Sequence, residues 1–272
     1  MHESDVKLFA LTQNLHLLQP VSLKDEDFLE ELRELQADLF VVVAFRMLPE
    51  LVWDMPPKGT INLHASLLPQ YRGAAPINRA LMNGEERTGV TTFFIEREID
   101  TGKVIAREDL AIGKDETAGE LHDRLMDLGA RLVLKTVRDI ATGQVKALAQ
   151  SEMTEGEKLK EAPKIFKNDC RINWEIPMEQ VHNHIRGLSP YPAAWTILEN
   201  EQGEQRSLKI FRSERTEITV KAARKIQIEK HDLLIPCADY YIKVLELQPE
   251  GKKRMTAEAF IAGYGKTSWK TA

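Results

Sequence analysis

The apolar positions of this 272-residue chain change their period from segment to segment, and the changes mark out its elements. Residues 6–15 read as a short helix and 15–19 as an extended piece ending at Pro20. Asp25 stands where a helix cap belongs, and Phe28, Leu29, Leu32 and Leu35 then recur every three to four residues as far as Gln36. Residues 39–44, Leu-Phe-Val-Val-Val-Ala, are an unbroken apolar run, the pattern of a strand covered on both faces in a parallel sheet. Pro49, Pro56, Pro57 and Gly59 interrupt the next segment, and a strand is predicted over 60–65. Pro76 opens a predicted helix over 77–83 that Gly84 ends. A strand at 89–95, a turn at 96–102 and a hairpin arm at 104–112 follow. The spacing of Leu121, Leu125, Leu128, Leu132 and Thr136 predicts a long helix over 117–141 with a core-facing stripe.

Helices alternating with strands predict an α/β fold, a Rossmann-like and mostly parallel sheet with right-handed crossovers. The Glu- and Lys-rich stretch 149–167 has few bulky residues and reads as a linker. Beyond it, a helix at 179–188 and short strands at 195–198, 208–211, 226–229, 233–236 and 240–247 fit a small β-barrel of the oligonucleotide-binding type. The expected division is therefore a first domain at 1–148, a linker at 149–167 and a barrel at 168–272, and this length suits two domains.

Composition narrows the class. With 43% hydrophobic and 29% charged residues the chain is an ordinary globular protein, and no apolar run approaches the roughly 18 residues that a membrane span needs. The amino terminus has no basic stretch followed by an apolar core, so a cytoplasmic location is expected, with Cys170 and Cys237 as free packing thiols. The net charge of −5 argues against a protein that coats nucleic acid, but it is unevenly spread. Residues 205–272 carry 14 Lys and Arg against 8 Asp and Glu. Such an excess can meet phosphates or simply cover a solvated strand face, and composition leaves both open. The absence of Gly-x-Gly-x-x-Gly and Walker patterns predicts neither a dinucleotide nor ATP, and no metal cofactor is implied.

The candidate chemistry lies at 61–73. Residues two apart on a strand share a face, so Asn62 and His64 project together, just ahead of a loop broken by Pro69 and Gly73. Open α/β sheets place ligands at such strand ends. His64 can exchange a proton near neutral pH, Asn62 can hold a developing oxyanion, and Asp100 can orient or balance the imidazole. These are the parts that acyl transfer to an amine requires when no Ser or Cys nucleophile takes part. A hydrogen-bonded structural pair accounts for the same spacing. His182 and His184 diverge on their helix and do not suggest a metal pair, His122 reads as a surface residue, and Arg72 reads as an exposed loop charge or an anion contact.

The motifs Asn62-Leu63-His64-Ala65-Ser66-Leu67-Leu68-Pro69, Tyr71-Arg72-Gly73-Ala74-Ala75-Pro76-Ile77 and Asp100-Thr101-Gly102 together resemble the signature of folate-dependent formyltransferases. Ala162-Pro163-Lys164-Ile165, Arg171-Ile172-Asn173-Trp174 and the run from Arg186 to Pro192 resemble the family's linker and carboxy-terminal domain. The resemblance implies Asn62, His64 and Asp100 as catalytic residues and Ser66, Leu67, Leu68 and Pro69 as a tetrahydrofolate-contacting loop. The Gly-Ala-Ala-Pro-Ile form favours the members that act on initiator methionyl-tRNA, which take the formyl group from 10-formyltetrahydrofolate and use the second domain to help hold the tRNA. Two other readings stand beside it: a folate-dependent formyltransferase or hydrolase of small molecules, and a truncated, non-catalytic folate- or RNA-binding protein.

The family opens with a further unit of about one βαβ, bearing a Gly-Thr-Pro turn, and this sequence begins after it. The resemblance then implies a monomer in which the strand at 39–44 lacks a neighbour, leaving backbone groups to be satisfied elsewhere. The expectation that follows is impaired activity or a compensating contact from another chain.

Overall fold

A computed structural model describes residues 3–43, 47–154, 156, 158–221, 225–265 and 267–271. The chain begins with helix α1 (Asp5–Thr12), capped by Ser4, and helix α2 (Glu26–Glu34), where the Asp25 carboxylate accepts from the Phe28 N–H as its position in the sequence predicts. Strand β1 (Phe40–Val43), helix α3 (Glu50–Trp53) and strand β2 (Thr60–His64) make a parallel crossover, Phe40 opposite Thr60 and Val43 opposite Leu63. Ala44, at the end of the predicted run, lies outside the described residues. Helix α4 (Pro76–Met82) leads to strand β3 (Arg87–Phe94), and a turn leads on to strand β4 (Val104–Ala111).

The sheet order is β1-β2-β3-β4, with parallel pairing at β1/β2 and antiparallel pairing at β2/β3 and β3/β4. The predicted α/β layering is present, but among the described residues the parallel part is a single pair. The chain returns alongside β2 in the opposite direction as β3, and β3 to β4 is a hairpin. Helix α5 (Ala118–Ala141) begins with Thr117 and Glu120 in a capping box and covers the sheet with Leu121, Leu125, Leu132 and Thr136, all at most 2% exposed. Burying each leucine of that stripe contributes on the order of 1.5–3 kcal/mol. Thr136 completes it by pairing its hydroxyl with that of Thr92 on β3 at 2.8 Å.

The segment that reads as a linker is tied down. A 3-10 turn at Gln150–Met153 docks against the first domain, and residues 160–162 run beside 71–75, with Tyr71 N–H on the Lys160 carbonyl at 2.6 Å and Ala162 N–H on the Arg72 carbonyl at 2.7 Å. A second 3-10 turn (Lys167–Cys170) leads into helix α6 (Met178–Leu188) and strands β5 (Ala194–Asn200), β6 (Gln205–Thr219), β7 (Gln227–Glu229), β8 (Asp232–Pro236), β9 (Tyr240–Pro249) and β10 (Met255–Thr256). Helix α7 (Ala257–Tyr264), which the sequence reading missed, and strand β11 (Trp269–Thr271) complete the chain. The strands are antiparallel in the order β11-β5-β6-β9-β8-β7, and the sheet curls until Ile226 N–H meets the Trp269 carbonyl at 3.1 Å, closing the predicted barrel. Register shifts along β6 let one long strand bend around it. Cys170 and Cys237 are buried and unpaired.

The two domains meet where α6 crosses α4. A Cβ at Gly187 would stand 2.7 Å from the Met82 side chain and 3.1 Å from the Asn78 carbonyl, so only glycine permits this approach. The buried Arg186 donates to the carbonyls of Gly113 and Glu116, and Arg215 pairs with Asp115 at 2.7 Å.

Candidate functional site

Strand β2 carries Asn62 and His64 on one face, both buried, with 6% and 7% exposure, and both open onto one cavity of about 990 Å³. That volume suits a folate-sized ligand. On the other face Leu63 sits against Gly129 of α5, where any side chain would collide with it. Asp100 reaches the same cavity from the turn after β3, its side chain 12% exposed. The structure thus brings together the three residues that the sequence singled out.

The imidazole is pinned at one nitrogen. Nε2 lies 2.8 Å from the carbonyl of Tyr71, an acceptor only, so Nε2 carries a proton and Nδ1 is left as the atom that exchanges one. Nδ1 faces the Asp100 carboxylate at 3.8 Å. The carboxylate is in turn fixed by the Gly73 N–H, which donates to Oδ2 at 3.0 Å. Both Tyr71 and Asp100 are left-handed, with φ of 61° and 56°. Non-glycine residues adopt that conformation only when their surroundings impose it, and such positions concentrate at functional sites.

Tyr71 is itself anchored. Its hydroxyl donates to Glu85 and accepts from Asn83, and Lys160 pairs with the same carboxylate. Burial, with the Glu85 carboxylate adding to it, pushes the phenol well above its ordinary range, so it stays a donor. By contrast, Oδ1 of Asn62 is buried with no hydrogen-bond partner. A buried acceptor left this way costs about 1–3 kcal/mol and marks a place prepared for a ligand donor.

Ser66, Leu67, Leu68 and Pro69 do not line the cavity. Their polar groups are used internally: Ser66 Oγ donates to the Gln70 carbonyl, Thr91 Oγ1 bridges the Ser66 carbonyl and the Leu68 N–H, and Arg107 donates to the Leu68 carbonyl. Leu68 is fully buried against Phe93 and Val104, and Leu67 packs over Gly89. The loop expected to contact folate lies next to the cavity wall formed by Ala65 and is braced from β3 and β4. His122, expected at the surface, is largely exposed and also stands at the cavity rim. Arg72 is not an exposed loop charge but is half-buried against Gln150.

Sequence reasoning missed Tyr71 and Gly73 as parts of the site, since both act through backbone groups that no residue type announces. It missed Gln150 because a contact between positions 78 residues apart leaves no local signal. Among the described residues no group of His, Cys, Asp and Glu is arranged to hold a metal ion, and no helix is long and apolar enough to cross a membrane.

Comparison with known proteins places the chain in a family. Residues 2–137 match the formyl transferase family and residues 164–265 match the formyl transferase C-terminal domain. A methionyl-tRNA formyltransferase of Bacteroides fragilis is 51% identical over 263 residues, 96% of this chain and 81% of that protein. One from Porphyromonas gingivalis is 47% identical over 268 residues, 97% of this chain and 83% of that protein. Among solved structures, an N-formyltransferase from Helicobacter canadensis superposes with a TM-score of 0.65 at 20% identity, over 87% of this chain and 81% of that one. HypX from Aquifex aeolicus in complex with tetrahydrofolic acid superposes with a TM-score of 0.66 at 19% identity, over 94% of this chain, which spans 44% of HypX. These two superpositions establish the fold. With both domains matched in order and close to half of its residues shared with such relatives, the chain belongs to the formyl transferase family.

Proposed function

We propose that this chain transfers the formyl group of 10-formyltetrahydrofolate to the α-amino group of methionine carried on initiator tRNA. The observation that carries this reading is the identity of about half, over nearly the whole chain, with methionyl-tRNA formyltransferases. The site supplies a chemistry that fits it. The amine attacks the formyl carbon, a C–N bond forms, and the carbonyl oxygen becomes an oxyanion that the Asn62 carboxamide stabilises. The unpartnered Oδ1 of Asn62 accepts an N–H of the incoming amine. His64 Nδ1 takes the proton that the amine sheds, the Asp100 carboxylate steadies the imidazolium, and the same proton is delivered to N10 of the departing tetrahydrofolate as the N10–formyl bond breaks. No proton or electron is left over.

Tetrahydrofolate as the carrier agrees with its presence in the HypX complex. The basic excess of residues 205–272 offers phosphate contacts, with Arg206 and Arg254 stacked on Tyr264 and Phe211. Asn62, His64 and Asp100 are assigned as the catalytic residues, and a cytoplasmic place goes with this substrate. The test supplies 10-formyltetrahydrofolate with either methionyl initiator tRNA or free small amines and follows formylated product. Transfer to tRNA alone is expected; transfer only to small amines, or none at all, would overturn the reading.

A further inference from the structure

One side chain from the inter-domain segment joins the two stretches that hold His64, through the backbone of one and the Arg72 side chain of the other. Gln150 is 3% exposed and uses all four of its hydrogen-bonding positions. Its Nε2 donates to the carbonyls of Asp100 and Gly102, each at 2.8 Å, and its Oε1 accepts from Nε and Nη2 of Arg72 at 2.9 and 2.7 Å. The first pair of bonds spans the turn that carries the Asp100 carboxylate. The second pair fixes the residue between Tyr71, whose carbonyl receives His64 Nε2, and Gly73, whose N–H binds Asp100 Oδ2.

We infer that Gln150 is a positioning residue for the His64–Asp100 pair. The inference rests on the proposed catalytic roles of those two groups. Asp100 sits at φ 56°, a conformation that lasts only while its surroundings impose it. The two carbonyl contacts from Gln150 are what impose it from the far side of the turn. Without them the turn relaxes toward ordinary backbone and the carboxylate swings from Nδ1. The rest of the inter-domain segment completes the clamp: the Ala162 carbonyl accepts from Ala75 N–H at 3.1 Å and lies only 2.5 Å from where a Cβ at Gly73 would stand. Gly73, at φ 121°, must therefore be glycine for the clamp to close. The segment between the domains belongs to the active site, although none of its residues need touch substrate.

Two variants separate positioning from simple packing. Gln150→Glu keeps the acceptor for Arg72 and turns a carboxylate on the two carbonyls, while Gln150→Ala removes both contacts. Each is assayed for kcat and for KM toward 10-formyltetrahydrofolate and methionyl-tRNA, for its thermal midpoint, and by nitrogen NMR of the His64 ring across pH. The expected result for Gln150→Glu is a kcat lowered by roughly 10- to 100-fold, the scale on which small misplacements act, with both KM values held and a changed His64 titration. Gln150→Ala is expected to follow the same direction; should it fail to fold, Gln150→Glu decides. A folded Gln150→Glu with the parent's kcat and the parent's His64 spectrum overturns the inference, as does a rise in KM with kcat intact. If the parent chain transfers no formyl group, the proposed function fails, and the His64 spectrum alone then decides whether Gln150 positions the ring.

Discussion

Among the described residues two buried histidines face an aspartate, and their surroundings differ in kind. His64 has Asp100 at 3.8 Å from Nδ1, and His182 of α6 has Asp115 at 3.3 Å from Nε2. Distance alone ranks His182 first. Its surroundings reverse that order. His182 lies at the domain seam, its Nδ1 on the Ser213 hydroxyl at 3.0 Å, with Arg186 and Arg215 nearby and Asp115 set off the line that a hydrogen bond to Nε2 needs. Burial, and then the two guanidinium groups, hold its imidazole neutral. His64 opens on a large cavity, has one nitrogen pinned by a carbonyl and the other left toward a carboxylate, and stands beside an acceptor with no partner. A histidine–carboxylate pair becomes chemistry when one nitrogen stays available to a ligand; otherwise it is packing.

The largest effect that can break this comparison comes from swapping the two rings. His64→Asn is expected to lower kcat by about 10²–10⁴-fold with little change in thermal midpoint, because the proton-exchanging atom is lost and the fold is not. His182→Gln is expected to do the reverse, leaving kcat near the parent's and lowering stability by about 1–3 kcal/mol through the bond to Ser213. Equal activity losses in both variants would show that the seam and the site act as one unit. Next in size is Asn62→Leu, expected to lower kcat by about 10²–10³-fold. Since Oδ1 of Asn62 has no partner to lose, its thermal midpoint should stay level or rise, the trade of stability against activity that a prepared site shows. A fall in the midpoint would mean that the carboxamide is structural.

The same contrast explains what the sequence discloses. The stripe Leu121, Leu125, Leu132 is legible because a helix repeats its environment every few residues, and the cap at Asp25 because its reach is three residues. Asn62 and His64 are legible as a pair because strand geometry alone puts them on one face. What is not legible depends on distant backbone. The Ser66 hydroxyl and Leu68 look like ligand contacts in a motif, yet here the hydroxyl donates to the Gln70 carbonyl and Leu68 packs against Phe93 of the neighbouring strand. The stretch 149–167 looks loose by composition, yet Gln150 and Ala162 are almost wholly buried against residues some 80 positions away. Helix α7 is nearly uniform in its hydrophobicity and so shows no period, and it was missed for that reason.

The smallest expected effect is also the one that isolates the seam from the site. His182 is buried and His184 half-buried, Nε2 of each is buried without a partner, and desolvation is the leading cause that lowers both below the ordinary histidine value of 6.5. The groups facing His182 are Arg186, Arg215, Asp115 and Glu179, and the two cations outweigh the two carboxylates in the direction of the shift. A base whose folded pKa is depressed binds its proton more readily unfolded, so the stability it contributes is whole above about 6.5 and declines as pH falls below that value. The thermal midpoint should therefore drop between pH 7.5 and pH 5.5, by about 2–4 °C for each kcal/mol lost. His182→Gln should reduce that drop, because it removes one of the two histidines whose proton burial disfavours. A slope that followed His64 instead would move the acid-sensitive element from the domain seam to the cavity, and with it the distinction drawn between the two rings.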